Sequence, residues 1–339
     1  MIRFWIELSK EHLRLARVEL EGALQALQAP EIPDDQALVP EGFIEIALSG
    51  NDLARRLTDR LALARGILRP WPITDHDGLV LRLGELGGHG VRARFRGPAL
   101  SGPRPDPHWL VLIEPFRKAG GHVDLEHGTL ALRFFATADR GWRVAEEIHE
   151  TDRRGFRRRG AAYLPFRRPV SLPPLLARVL VNMASVRAGD QVVDPFLGTG
   201  GLLAEAGLVG ARISGVDHDA GMVRGALENL SFLGLAPEKV VVGDAADLAP
   251  SFEDRVWDAV VTDPPYGRAS SSGGERPEEL VTRVLGAWSH RVRPGGRIAL
   301  AVPEATGRLL PSWRLVASVP YRRHRSLTRD FRVYERPPD

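Results

Sequence analysis

The chain contains no cysteine in its 339 residues. Disulfides, zinc–thiolate sites and thiol nucleophiles are therefore excluded together, so any chemistry has to use carboxylates, hydroxyls, imidazoles or the backbone. The ten histidines are scattered, and no two of them stand four residues apart as a helical metal site requires. We therefore expect no metal site.

Long apolar runs and lysine are scarce as well. No stretch is long enough to span a bilayer as a helix, and Glu7 interrupts the place where a signal peptide would be apolar. We expect a cytoplasmic protein without a membrane partner. Arginine, by contrast, is clustered: residues 151–178 hold eight arginines and one acidic residue, Asp152. This clustering favours a polyanionic partner.

The first 150 residues show mixed strand and helix patterns. Helices are predicted from Ser9 to about residue 27 and from Asn51 to about residue 63. Strands are predicted at 2–8, 43–48, 79–83, 109–113 and 123–135, the last with a hairpin turn at His127-Gly128. We interpret residues 1–150 as a small α+β module.

Composition changes at residue 151. Residues 151–174, here called the strap, are rich in arginine, glycine and proline, which indicates a linker or an ordered connection. From 175 to 339 helix and strand patterns alternate, which predicts right-handed βαβ units and a mainly parallel sheet. Two late segments, 314–319 and 329–336, are candidates for closing strands.

A carboxylate and a glycine-rich turn end the first strand of this region, in the sequence Asp194-Pro195-Phe196-Leu197-Gly198-Thr199-Gly200-Gly201. Ligands of open parallel sheets lie beyond the carboxyl ends of strands, and glycines let the backbone approach them closely. The Asp194 carboxylate would repel a pyrophosphate and attract a cationic amino-acid end. S-adenosylmethionine carries an ammonium and a sulfonium and no phosphate, so it fits this site.

Two further strand ends carry acidic residues, Asp217 and Asp244. Asp217 could accept hydrogen bonds from ribose hydroxyls, and Asp244 from an adenine amino group beside the small Ala245. The alternative is that each aspartate simply caps a helix.

The sequence Asp263-Pro264-Pro265-Tyr266 follows another strand. The prolines fix φ and remove two donors, so the Asp263 side chain and the neighbouring carbonyls remain as acceptors for a nucleobase amine. Tyr266 would stack on the base. The alternative is a proline-rich loop with a packing tyrosine.

Three longer strings resemble one family. These are Pro165 to Pro174 with the following Leu176-Ala177-Arg178 and Val181-Asn182, then Asp263 to Arg268 with Ala269-Ser270-Ser271, and finally His324 to Arg329. Together they resemble the tRNA guanine-10 N2-methyltransferases. The resemblance implies an α/β, Rossmann-like class I methyltransferase domain with a mostly parallel seven-stranded sheet, preceded by a THUMP-type RNA-binding module that we place loosely in residues 1–150. Leu197 departs from a frequent cysteine, and Arg167-Arg168 from an aromatic residue and a histidine.

The expected activity is methylation, once or twice, of the N2 amine of a tRNA guanine, guanine 10 by resemblance. The catalytic candidates are Asp263, Pro264, Pro265 and Tyr266. The cofactor-binding candidates are Phe166, Ser171, Asp194, Pro195, Phe196, Gly198, Thr199, Gly200, Gly201, Asp217, His218, Asp244 and Ala245. The RNA-binding candidates are Arg153, Arg154, Arg157, Arg158, Arg159, Arg167, Arg168 and Arg268.

Other readings stay open at this point. The enzyme could act on another tRNA or rRNA guanine, or on the N6 amine of adenine in DNA, because the same loop can hold that amine. A non-catalytic RNA-binding protein that retains a cofactor fold is a third hypothesis. The need for a small activating protein partner also stays open.

Overall fold

A computed structural model gives the architecture of the chain. It describes residues 1–34, 36, 39–72, 76–86, 90–96, 114, 117–118, 121–123, 127–136, 142–168, 171–247, 252, 255–265, 276–324 and 327–338. The chain divides into two compact units. The first unit comprises Met1–Leu8, Ile32–Thr58 and Arg65–Glu150, and the second comprises Ser9–Glu31, Asp59–Ala64 and Thr151–Asp339.

The first unit is built on a seven-stranded mixed sheet. Its strands are β1 (Ile2–Leu8), β2 (Phe43–Leu48), β3 (Ala64–Pro70), β4 (Gly90–Arg96), β5 (His122–Val123), β6 (Leu130–Ala136) and β7 (Trp142–Glu150), in the spatial order β2-β1-β3-β7-β6-β4-β5. The helices of this unit whose bounds lie within the described residues are α2 (Asn51–Arg60) and α3 (His76–Glu85). The expected α+β character of this region is therefore present.

Two local predictions for this unit are wrong. Residues 79–83 form part of α3 rather than a strand, because Leu79 and Leu83 are buried four residues apart while Leu81 is 68% exposed. The leucines at every second position, 79, 81 and 83, fit the two-residue period of a strand, and 79 and 83 also fit the spacing of one helix face. The predicted hairpin at His127-Gly128 is also wrong, since among the described residues β5 and β6 each pair with β4 in parallel and therefore run in the same direction. The strand predicted at 109–113 lies outside the described residues.

The second unit contains the predicted seven-stranded, mostly parallel sheet. Its strands are β8 (Gln191–Asp194), β9 (Arg212–Asp217), β10 (Lys239–Val242), β11 (Trp257–Thr262), β12 (Val292–Pro303), β13 (Arg314–His324) and β14 (Leu327–Glu335), in the order β10-β9-β8-β11-β12-β14-β13. The first five strands in that order are parallel, and β14 runs antiparallel to β12 and β13. The chain order reverses between β8 and β11, where ligand crevices form in such sheets.

Helices accompany this sheet. They are α1 (Leu13–Ala26), α4 (Arg153–Arg158), α5 (Pro174–Met183), α6 (Gly201–Leu208), α7 (Ala220–Phe232) and α8 (Pro277–Ser289). The core on one side of the sheet centres on fully buried Trp257, Trp288 and Phe252, whose rings lie 5.8–6.0 Å apart. None of the helices in the described part of the chain has the length and apolar content that a membrane span requires.

Helix α1 belongs to the second unit, which differs from the sequence boundary at residue 150. Its buried Glu19 accepts hydrogen bonds from the Ala62 and Leu63 backbone N–H groups and from Asn182 Nδ2, at 2.7–2.8 Å. A Cβ at Gly22 would lie 2.1 Å from the Asn182 carbonyl oxygen, so glycine allows α1 to pack closely on α5. Long-range packing of this kind leaves no local signal at the boundary.

Candidate active site

Each of three neighbouring parallel strands, β8, β9 and β10, is followed by or ends in an aspartate. The side chain of each aspartate accepts a hydrogen bond from the backbone N–H group two residues later in the chain. Asp194 Oδ1 accepts from Phe196 N at 3.0 Å, Asp217 Oδ1 from Asp219 N at 2.9 Å, and Asp244 Oδ1 from Ala246 N at 2.7 Å. Each carboxylate thus closes a short turn of the type that aspartate favours. The carboxyl edge of the sheet, meaning the edge where its parallel strands end, is organised by these three turns.

Asp217 also holds the glycine turn, residues Gly198–Gly201. Its Oδ2 accepts from Gly198 N at 2.8 Å. Helix α7 is capped by Asp219, which accepts from the Gly221 and Met222 N–H groups, so the alternative that Asp217 caps this helix is wrong. A carboxylate offers about four lone-pair positions, and two of those on Asp217 are used by backbone donors. The other lone-pair positions of this carboxylate are of the kind that accept hydrogen bonds from hydroxyl groups. The neighbouring His218 side chain is 71% exposed.

The glycine turn needs its glycines. Gly198 and Gly200 have φ values of +53° and +79°, a region that disfavours side chains. A Cβ at Gly200 would also lie 3.2 Å from Ala226 Cβ. Helix α6 begins immediately afterwards at Gly201, so its first N–H groups face the same edge. Leu197, which stands where the resembled family often has cysteine, is buried in the protein interior.

Asp194 is almost completely buried, at 1% exposure. Burial raises the pKa of its carboxyl to about 7, and the nearby Asp263 and Asp217 charges add to this, against hydrogen bonds from Thr262 and Phe196. The Thr262 hydroxyl donates to Asp194 Oδ1 at 2.8 Å and so joins the end of β8 to the end of β11. A cationic group beside Asp194 would favour its ionised form.

Asn229 on α7 connects the strap to the glycine turn, a role that the sequence did not indicate. Its Oδ1 accepts from Phe166 N at 2.9 Å, and its Nδ2 donates to the carbonyl oxygens of Phe166 and Thr199 at 3.0 Å each. The hydroxyls of Ser171 and Thr199 lie 3.0 Å apart. A Cβ at Gly225 would lie 2.2 Å from the Phe166 ring, so this glycine makes room for the ring.

One pocket brings together several predicted cofactor residues of the strap and the turn. Its lining includes Phe166, Ser171, Thr199, Gly200 and Gly201. Pro195 and Phe196 lie in the short segment between Asp194 and the turn, with Pro195 buried and Phe196 half-buried. Across the described residues, no cluster of three histidine, aspartate or glutamate side chains could hold a metal ion.

The end of β10 is more open than the ends of β8 and β9. The Asp244 side chain is 46% exposed and pairs with Arg283 of α8 at 3.2 Å. Its pKa is lowered by the bond from Ala246 N and by Arg283. Ala245 is buried, and its carbonyl accepts from Trp288 Nε1 at 2.6 Å. Arg283 was not predicted, since nothing in the sequence of α8 points to Asp244.

Asp263, Pro264 and Pro265, the described part of the acceptor loop, follow β11 directly. Pro264 is buried, and the Asp263 side chain is 14% exposed. Both Asp263 oxygens accept from Arg329 Nη1, at 3.2 and 3.0 Å. Tyr266 and Arg268 lie outside the described residues. Arg329 was part of a family-like string, but its pairing with Asp263 was not predicted.

The arginines of the strap fall into two groups. Arg153, Arg154, Arg157 and Arg158 are exposed on α4, whose Phe156 is buried. Arg159 instead donates to the buried Glu205 at 2.7 and 3.3 Å. Arg167 and Arg168 are exposed, with the Arg168 guanidinium 5.0 Å from the centre of the Phe166 ring.

Comparison with known families and curated proteins identifies relatives of this chain. The UPF0020 profile, described as an RMKL-like methyltransferase domain, matches residues 161–308. The "tRNA (guanine(10)-N2)-dimethyltransferase" of Methanothermobacter thermautotrophicus is 43% identical over 175 residues, which cover 51% of each chain. That of Pyrococcus abyssi is 37% identical over 57% of this chain and 58% of its own. The chain thus spans about half the length of these curated relatives.

A shorter relative is covered almost completely. The "Probable tRNA (guanine(10)-N2)-dimethyltransferase" of Methanothermococcus thermolithotrophicus is 30% identical over 48% of this chain and 98% of its own. Among solved structures, TrmN from Thermus thermophilus is similar with a TM-score of 0.52 at 22% identity, over 98% of this chain and 99% of that one. The structure of SMU.472 complexed with SAH gives a TM-score of 0.50 at 13% identity, over 100% and 99% of the two chains. These structures support the class I methyltransferase fold.

Proposed function

This chain belongs to the tRNA guanine-10 N2-methyltransferase family, and we propose that it methylates the N2 amine of guanine 10 in tRNA with S-adenosylmethionine as donor. The observation that carries the proposal is the bond from Thr262 to Asp194, which joins the end of β11, directly before the acceptor loop, to the carboxylate turns. The names of the relatives favour dimethylation.

The chemistry of the carboxyl edge fits this cofactor. Asp194 accepts hydrogen bonds from Phe196 N and the Thr262 hydroxyl, and Asp217 accepts from two backbone N–H groups, with His218 Nδ1 3.5 Å from its Oδ1. These two carboxylates are the groups with which a cationic ligand would pair. We assign the ammonium end to Asp194, the ribose hydroxyls to Asp217, and the adenine ring to the surface beside Asp244 and Ala245. The glycine turn and the strap residues Phe166 and Ser171 would cover the ligand.

At the acceptor loop the protein has to orient an amine whose lone pair is delocalised into the base. The bound cofactor supplies a methyl group already activated by its sulfonium. Asp263 and the Pro264 carbonyl would accept the two N–H bonds of the amine, which aims the nitrogen at that methyl group. The nitrogen loses one proton on methylation, and the Asp263 carboxylate is the acceptor beside it. Tyr266 would stack on the base.

Recognition of tRNA is assigned to two parts of the chain. The four exposed arginines of α4 would contact phosphates, as would Arg167, Arg168 and Arg268, while Arg159 would anchor the strap through Glu205. The first unit would act as a THUMP-type RNA-binding module. Both assignments rest on charge and on family resemblance.

The test is incorporation of labelled methyl groups by the purified full chain. A tRNA transcript, the same transcript with guanine 10 replaced by adenine, and a DNA duplex are each incubated with labelled cofactor. We expect label only in the first. Equal labelling of the first two would overturn the choice of guanine 10, and preferential labelling of DNA would overturn the substrate class.

A further inference from the structure

Arg329 reaches the acceptor loop from a distant part of the sequence. Strand β14 runs antiparallel to β12, so its beginning lies at the carboxyl edge where the parallel strands end. In the register of the sheet Arg329 stands opposite Pro303, the last residue of β12. The acceptor loop leaves β11, the other neighbour of β12, at the same edge. The closing strand therefore brings a guanidinium to Asp263.

The contact between the two residues is well sheltered from water. One nitrogen, Arg329 Nη1, donates to both carboxylate oxygens of Asp263, at 3.2 and 3.0 Å. The Arg329 side chain is 7% exposed and the Asp263 side chain 14%. Removal of one member of such a sheltered pair takes that compensation away from the charge that remains.

A second carboxylate makes the guanidinium more important. Asp194 is close enough for the Asp263 charge to disfavour its ionisation. Two carboxylates at one edge of the sheet repel each other when both are ionised. Arginine stays protonated in proteins, so it supplies a positive charge that offsets this repulsion.

We infer that Arg329 is a positioning residue that holds the Asp263 carboxylate in the orientation needed to accept the target amine. The inference rests on the proposed function, because it gives Asp263 its role as acceptor. It assigns Arg329 no contact with substrate or cofactor. Its effect should therefore fall on the rate of methyl transfer and leave the affinity for the cofactor unchanged.

The test compares Arg329→Gln and Arg329→Lys with a matched control, Arg297→Gln. Arg297 stands on β12 and pairs with Glu335 at the far end of β14, at 2.9 Å, with its side chain 8% exposed. Both arginines are thus buried, and each pairs with a carboxylate of its own, but only Arg329 lies at the carboxyl edge. For the wild type and these three variants we would measure thermal unfolding, cofactor affinity by calorimetry, and kcat and KM for the nucleic acid.

Arg329→Gln should lower kcat about 100-fold, as expected when a reacting group is misplaced, with cofactor affinity and KM unchanged. Arg329→Lys keeps the positive charge on a shorter, differently shaped side chain and should regain about tenfold of that loss. Arg297→Gln should lower thermal stability without lowering kcat. Equal kcat losses for the two Gln variants, or a loss seen only in KM or cofactor affinity, would overturn the inference.

The wild-type protein separates this inference from the proposed function. It is first assayed on the tRNA transcripts and on DNA, and the variants are then compared on whichever substrate it methylates. Methylation of DNA alone would overturn the proposed function while the Arg329 comparison still decides the inference. Absence of methyl transfer to every substrate would overturn both.

Discussion

The two halves of the carboxyl edge are held by different means. At the ends of β8, β9 and β10, the cofactor half, aspartates bond backbone N–H groups two residues further on. At the end of β11, the acceptor half, Asp263 bonds an arginine 66 residues later in the chain. Local turns thus close each strand end of the cofactor half, with longer-range bonds such as Thr262 to Asp194 added to them, whereas the acceptor half depends on a long-range ion pair. Substitutions in the two halves should therefore affect different measured quantities.

The largest effect is expected in the acceptor half. Asp263→Ala should lower kcat about 1,000-fold, because the amine loses its charged acceptor, while cofactor affinity stays unchanged. Steady-state methyl transfer and calorimetry measure the two quantities. Asp258→Ala is the control, since Asp258 stands at the start of the same strand and pairs with Arg293. If Asp263→Ala had the kcat of the wild type, Asp263 would not be the acceptor of the target amine.

In the cofactor half the effect should appear in binding. Asp217→Ala should weaken cofactor binding about 100-fold, which corresponds to the loss of hydrogen bonds to a charged acceptor. At saturating cofactor its kcat should stay near that of the wild type. Asp219→Ala, two residues away, removes the cap of α7 and should lower stability but leave cofactor affinity nearly unchanged. If the two variants bound cofactor equally, the ribose assignment would be wrong.

Because the pKa of Asp194 is about 7, the assignment of the ammonium end to this carboxyl predicts that cofactor binding depends on pH. Binding of an ammonium beside Asp194 lowers this pKa, so the complex holds fewer protons than the free protein and binding releases protons. Affinity should rise with pH up to about 7 and then level off, by at most about tenfold per pH unit. Calorimetry in buffers of different ionisation enthalpy measures the proton release. Asp194→Asn should bind with little pH dependence, and a sloping profile for this variant would contradict the assignment.

The smallest effect is expected at Asn229, which ties the strap to the glycine turn. Asn229→Asp keeps the size of the side chain but loses both donated bonds, to Phe166 and Thr199. Cofactor binding should weaken about tenfold, in line with the loss of one or two hydrogen bonds. Glu228→Gln changes the exposed neighbouring residue and should bind as the wild type does. Equal affinities would show that the strap does not depend on Asn229.

The comparison also explains what could be predicted from the sequence. The order of strands and helices in the second unit follows from strong periodic patterns, and the acidic strand ends could be located because Asp194, Asp217 and Asp244 each come directly after an apolar strand or one residue later. The turns that these aspartates close are local. Their function in the site was predicted, but their bonds to the backbone two residues on were not.

Features that depend on distant packing could not be predicted. Arg329, Asn229 and Arg283 meet their partners through the folded sheet and helices, and their neighbours in sequence carry no sign of it. Helix α1 is assigned to the second unit for a similar reason, since the partners of Glu19 are residues 62, 63 and 182. In α3, leucines at three alternate positions matched the two-residue period of a strand, so the helix was predicted wrongly as a strand.

Identification of the methylated nucleoside is the most direct test of the account. A tRNA transcript is incubated with the wild-type protein and S-adenosylmethionine, digested, and its nucleosides are identified by mass spectrometry. The account predicts N2-methylguanosine or N2,N2-dimethylguanosine from guanine 10, and neither product from Asp263→Ala under the same conditions. N6-methyladenosine as the product, or equal N2 methylation by Asp263→Ala, would contradict it.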